Sequence, residues 1–304
     1  MKSMKRLLAL FVLLILNGCF THDSPEIKIY FENNICICPQ AKVGDIEVIE
    51  GVTYVVVDNS TVTIEINSGN VNLCTTLVTD MTELFKDNVS FNSDIGFWDT
   101  SNVTFMYAML KKNSNSFNQY IGDWDISKVI NTAGVFDGAA AFNQDIGGWD
   151  MSNIIYTHDM FKGATSFNQD IGSWDTSQVK IMAGMFSGAA AFNQNIGSWD
   201  TSKVTNGRGV FENAGTFNQD ISRWDISKMT DISNMFENTT AFNQDIGNWN
   251  TSKVIKMRRT FRGSTTFNQD LTRWCVISIT TEPHQFSFNA PLEGKNKPVW
   301  GTCL

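Results

Sequence analysis

One word, close to FNxDIGxWDTSxVTxMxxMFxxAxx, recurs eight times in this chain, and no single copy can bury its own aromatic residues. Trp98, Trp124, Trp149, Trp174, Trp199, Trp224, Trp249 and Trp274 mark the copies; the first interval is 26 residues and the other six are 25. The extra residue falls in the loop KKNSNS between Leu110 and Phe117. One aromatic column runs from Phe91 through Phe117 and Phe142 to Phe267, and a second from Phe85 through Phe136 to Phe286, with Leu110 taking one place. Together they use 16 of the 22 phenylalanines, so most of the aromatic content serves the repeat. A 25-residue unit with two aromatic faces must stack on copies of itself.

Within each unit the pattern predicts two pieces. Phe167, Ile171 and Trp174 read as a short extended segment. Val179, Met182, Met185 and Phe186 have the spacing of one buried helical stripe, which predicts a short helix or 3-10 turn. Asp175, Thr176 or Ser177 stands where a helix N-cap would accept an amide hydrogen. Parallel stacking then gives a solenoid of α/β repeat class, about 38 Å long for eight coils at a strand spacing near 4.8 Å.

Asparagine follows the first phenylalanine in every unit: Asn92, Asn118, Asn143, Asn168, Asn193, Asn218, Asn243 and Asn268. A buried amide is costly unless hydrogen-bonded, and a stacked column supplies the partners, so these residues read as a structural ladder. Two aspartate columns, one through Asp94, Asp145 and Asp170 and one through Asp99, Asp125 and Asp150, could in principle offer oxygens to calcium. Tyr120, Asn195, Asn250 and Cys275 interrupt them, and turn and capping roles fit better.

The ends differ from the middle. The start, MKSMKRLLALFVLLILNGCF, has basic residues, an apolar run from Leu7 to Leu16 too short to span a bilayer, and then Asn17-Gly18-Cys19. It reads as a secretory signal over 1–18 whose end is similar to a bacterial lipobox, with Cys19 as the lipidated residue and 19–26 as a tether. Such a lipid chain would anchor the protein to a membrane without crossing it. Residues 27–77 alternate Val48, Val52, Tyr54, Val56 and then Val62, Ile64, Ile66. They predict a small β-rich cap with a tight turn at Glu50-Gly51; 78–287 are the repeats and 288–304 a closing cap in which Trp300 plugs the last coil.

In an oxidising compartment the remaining cysteines are expected in disulfides. Cys275 and Cys303 bracket the terminal segment and are expected to pair; Cys74 is expected to pair with Cys38 or Cys36. Cys36-x-Cys38 lacks the second pair that zinc would need. Nothing in the chain reads as a cofactor motif.

The word FNQDIGSWDTSKVT with its following MF resembles the BspA-like leucine-rich-repeat surface proteins, over roughly Val78 to Phe286. The flanks CPQAKVGDIEVIEGVTYVVVD and WCVISITTEP to KPVWGTCL are similar to segments that bound the repeats in that family. The resemblance implies a right-handed leucine-rich-repeat-like solenoid exposed on a bacterial surface, with adhesion as the family's assigned activity and no catalytic residues to carry over, because the family motif has none.

Function follows from what is uniform and what varies. Without residues 1–18 the chain has 20 Lys and Arg against 31 Asp and Glu, a net charge of −11, which disfavours nucleic acid as a partner. Histidine occurs three times, as His22, His158 and His284. An active site needs residues that one coil has and the others lack; the departures Tyr120, Asn195, Gly207, Asn250 and His158 form no acid/base pair. The expectation is therefore not an enzyme but a lipid-anchored surface repeat protein that binds a protein or glycan, outer membrane being the expected location. Exposed variable positions such as Lys180, Arg208, Asp231 and Arg258 are its candidate contacts.

Overall fold

The computed structural model describes residues 28–112 and 116–303. The expected signal segment, the tether and Cys19 lie outside the described residues, as does the middle of the KKNSNS loop.

The N-terminal part is a small mixed structure. Strands β1 (Tyr30–Glu32) and β2 (Ile35–Ile37) form an antiparallel hairpin. Strands β3 (Ile46–Ile49) and β4 (Val52–Asp58) are antiparallel, and β5 (Leu73–Leu77) adds to β4 in parallel. Glu50 and Gly51 both take left-handed φ values, 54° and 84°, as the two-residue hairpin turn between β3 and β4 requires. The expected third strand over Val62, Ile64 and Ile66 is instead helix α1, Val62–Asn67. Its start follows a turn in which Asp58 Oδ1 accepts the N–H groups of Ser60 and Thr61, and the helix carries the chain across so that β5 can return parallel to β4. The cap joins the repeats through a parallel bridge from Cys36 to Trp98, with the Cys36 N–H donating to the Phe97 carbonyl at 2.8 Å.

The repeats stack through one ladder. Parallel bridges run Asp80–Phe105–Asn131–Tyr156–Ile181–Asn206–Asp231–Lys256, one residue per unit. Past each bridge the backbone splits its hydrogen bonds between two destinations. The N–H groups of Thr157, Asp159, Phe161 and Gly163 donate to Ile181, Ala183, Met185 and Ser187 of the next unit. Those of Met160, Lys162 and Ala164 close turns onto Thr157, Asp159 and Phe161. Among the described residues the units therefore carry single hydrogen-bonded turns where a short helix or 3-10 turn was expected. Asp159 and Gly163 are left-handed, with φ of 55° and 68°, and so are Gly184 and Gly188, at 66° and 73°. A left-handed residue every fourth position ends each turn before a helix can propagate. The expected extended segment from Phe167 to Trp174 also differs: it is irregular, and the inter-unit pairing falls on the ladder instead.

Side chains complete the stack. Rings of equivalent residues lie nearly parallel from unit to unit, except at the end, where Phe286 meets Phe261 edge-on. Their spacing is 5.5–5.9 Å in the second phenylalanine column, 5.8–6.1 Å in the first and 6.1–6.4 Å between tryptophans. Parallel backbone pairs sit only about 4.8 Å apart. Offset stacking places ring centres further apart than the backbones that carry them. From Trp124 to Trp274 each buried indole also donates from Nε1 to the isoleucine carbonyl of the preceding unit, as Trp149 does to Ile121 at 3.1 Å, while Trp98 donates to the Val71 carbonyl of the cap. At the far end Cys275 and Cys303 form the expected disulfide, and Trp300 packs edge-on against Phe286 with ring centres 5.1 Å apart. A short 3-10 turn, Gly294–Asn296, covers the last asparagine.

Candidate functional site

The repeated polar residues are engaged in holding the units together. Asn118 N–H donates to Asn92 Oδ1, Asn143 N–H to Asn118, Asn168 N–H to Asn143, and so on through Asn193, Asn218 and Asn243 to Asn268, at 2.9–3.0 Å. A second column reinforces the first: Gln169 Nε2, for example, donates to both oxygens of Asn143. Glutamine follows the asparagine in seven of the eight units, with Ser93 in the first, and a side chain one methylene longer than asparagine can reach back one unit. Both aspartate columns make local turns. Asp145, Asp170 and Asp220 accept the N–H two residues on, as do Asp150, Asp175 and Asp225. Asn195 and Asn250 keep the same bond, at 3.1 Å in both cases. These bonds from serine hydroxyls and amides hold the Asp150, Asp200 and Asp225 carboxyls below the usual range.

The cysteines of the cap are a correction. Cys74 is joined to neither Cys38 nor Cys36; all three are buried thiols. Cys74 Sγ instead donates to the Cys36 carbonyl at 3.1 Å, and Cys38 N–H donates to Thr76 Oγ1. Hydrogen bonding with Cys74 and then burial push the Cys38 thiol up; hydrogen bonding with Cys36, with burial behind it, does the same to Cys74. Small apolar thiols can fill this core without bonding to each other.

Recognition needs a place where the units differ, and the ladder face offers one. Tyr156, His158 and Lys162 stand on one side of a cavity of about 550 Å³, and Arg208 and Glu212 stand on the other. Its floor belongs to the unit between them, where Ile181, Ala183, Gly184 and Ser187 occupy the corresponding places. The cavity is a notch left by short side chains in one unit between long ones in its neighbours. Lys162 Nζ pairs with Asp159 of its own unit at 3.5 Å. Arg208 is exposed and has no ion pair among the described residues. His158 Nδ1 is enclosed without a hydrogen-bond partner. Glu212 is half-buried; desolvation, with the charge of Glu237 adding to it, pushes its carboxyl above the usual carboxylate range. Glu237 itself is held by Arg262 at 2.5 Å and by the Asn234 amide.

Of the positions expected to make contacts, Arg208 lines this notch and Arg258 lines a second cavity on the same face, of about 450 Å³. Asp231 is a ladder residue paired with Lys256 at 3.9 Å, and Lys180 lies just before the next bridge. Lys162, Glu212 and the small floor residues were not among the expected positions. The signal for them is a break in size within one aligned column rather than a change of chemistry. Among the described residues no group of three or more His, Cys, Asp or Glu side chains is arranged to hold a metal ion.

The family described as "Mycoplasma protein of unknown function, DUF285" matches residues 55–161, 141–238 and 220–297. The chain belongs to this family. The matches run in tandem from the cap into the closing segment, each spanning several units, and together they take in all eight tryptophans of the repeat. No curated protein and no solved structure matches the chain.

Proposed function

We propose that this DUF285 member is a surface-displayed binding module: a right-handed, leucine-rich-repeat-type solenoid of 25-residue coils, akin to the BspA-like proteins. It is held to a bacterial envelope by lipid on Cys19 and contacts a protein or glycan through its ladder face. The observation that carries the reading is the notch over Ala183 and Ser187. It is a departure from repeat symmetry with charged residues on both rims, whereas the asparagine, glutamine and aspartate columns are already engaged in stacking. Stacked repeats offer extended binding surfaces, and loop and rim residues can vary there without disturbing the core.

The test uses cells that carry the gene and cells deleted for it. Both are tested for adhesion to immobilised matrix proteins and glycans, before and after protease shaving. Adhesion that depends on the gene and is lost on shaving, while a periplasmic control protein survives, is the expected result. Equal adhesion with and without the gene would leave a passive envelope component as the better reading.

A further inference from the structure

The second residue after each bridge follows a rule that the repeat word does not contain. Tyr107, His158, Arg208 and Arg258 are large; Ala133, Ala183 and Ser233, in the units between them, are small. The small members sit low: Ala133 is fully buried and Ser233 is 8% exposed, while Arg208 and Arg258 stand out from the face. The large residues therefore recur every second unit, which at the spacing of parallel strands is roughly 9.5 Å. Both cavities on this face lie along that row, one against Arg208 and the other against Arg258.

Charge is distributed along the same direction. Residues 28–200 hold 8 Lys and Arg against 20 Asp and Glu, a net of −12, whereas residues 201–304 hold 12 against 9, a net of +3. Arg208 and Arg258 fall in the basic part, and neither has an ion pair among the described residues. Asp231, the carboxylate on the ladder between them, is faced by Lys256. Exposed aromatic rings, Phe105 and Tyr156, each 40% exposed, share the face.

We propose that this face binds a linear anionic polysaccharide laid along the stacking direction, with one acidic group per disaccharide meeting Arg208 and Arg258. The inference rests on the ladder face being the binding surface. In an extended glycan with alternating linkages, equivalent groups return to the same side once per disaccharide, a distance close to two units of this stack. An extended peptide returns side chains to one face about every 6.7 Å, which is out of step with the row. Guanidinium groups hold carboxylate or sulfate through paired charge-assisted hydrogen bonds, and the flat faces of Phe105 and Tyr156 suit the apolar faces of sugar rings.

The test measures binding of the purified protein to immobilised hyaluronan, heparin, polyglutamate and uncharged dextran at low and physiological salt. Hyaluronan carries carboxylate alone and heparin carries sulfate as well, so the pair shows whether sulfate is needed. Arg208→Ser with Arg258→Ser should weaken glycan binding by about tenfold or more, as expected for losing two charge-assisted contacts. Arg208→Ser with Ser233→Arg keeps the charge but shifts it by one unit, and should weaken binding nearly as much. Unchanged melting temperature verifies that each variant keeps the fold, including the one that places an arginine at the buried Ser233 position. Polyglutamate binding as tight as either glycan, still lost in the Arg208/Arg258 variant, would overturn the glycan while sparing the face. Glycan binding indifferent to both arginines would overturn the face as well. Full binding by the shifted variant would overturn the spacing, and no binding to either anionic glycan would overturn the proposal.

Discussion

The side-chain carbonyl of Asn168 accepts the backbone N–H of Asn193, one unit further on, at 2.9 Å, and the amide of Gln194 at 3.0 Å. One side chain thus satisfies two donors that stacking removes from bulk water. Asn168→Ala should cost about 1–3 kcal/mol, because both donors lose a partner in a part-buried place. In a chain of this size that corresponds to a fall in melting temperature of about 2–4 °C per kcal/mol. Asn168→Asp, which keeps the acceptor, should cost less. Equal melting of the alanine variant and the parent would mean that the ladder is decorative.

Close stacking also explains adjacent glycines with opposite sensitivity. A Cβ on Gly147 would lie 2.6 Å from the Asp170 carbonyl oxygen, while a Cβ on Gly148 would meet nothing within 4 Å. Gly147→Ala should destabilise by about 1–3 kcal/mol through forced backbone movement. Gly148→Ala should stay within about 0.5 kcal/mol of the parent. Ser222 occupies the place of Gly147 in a later unit, which nothing in the structure explains. Urea titrations of the two variants give the comparison.

Two sets of carboxyls set opposite trends with pH. Asp150, Asp200 and Asp225 titrate below their ordinary range when folded, so the stability they supply is present above about pH 4 and is lost as pH falls through their folded values. Glu212 titrates above its ordinary range. The folded state therefore favours its protonated form, and that advantage, complete below about pH 4, is lost as pH rises through the raised value. Glu212→Gln should raise the melting temperature by about 1–3 °C at pH 7, and the gain should vanish near pH 4. A gain that persists unchanged in acid would contradict the origin assigned to it.

Thiol chemistry checks the corrected cap. With Cys36, Cys38 and Cys74 as buried thiols, alkylation of the native protein should be slow at all three, and unfolding without reductant should release them together. Only Cys275 and Cys303 should then need reduction. Mass spectrometry that finds a peptide linking Cys38 to Cys74 would restore the pairing expected from the sequence.

The columns were legible because each is one residue type at one interval: the asparagines, the aromatic residues and the Cys275–Cys303 closure can all be read from aligned copies. The ladder was not. Met182, Met185 and Phe186 have helical spacing, yet Gly184 and Gly188, four residues apart, are the residues that decide the backbone by taking left-handed turns. Val62 to Asn67 misleads in the other direction, because its β-branched residues alternate while the local turn and the parallel return of β5 require a helix. The notch was half legible. His158 stands out as a departure and Arg208 as an exposed variable position, but the short residues that make room between them, Ala183 and Ser187, look unremarkable in any single unit.

The most direct test of the account asks whether the notch is where binding happens. Ala183→Trp would fill the cavity between His158 and Arg208, and Ala190→Trp would add the same bulk at an exposed position of the same unit outside it. Both purified variants and the parent are applied to one array of matrix proteins and glycans. The account predicts that Ala183→Trp loses about tenfold or more in affinity, the effect of excluding a ligand worth at least 1.4 kcal/mol of contact, while Ala190→Trp binds like the parent. Equal binding by all three proteins would contradict it.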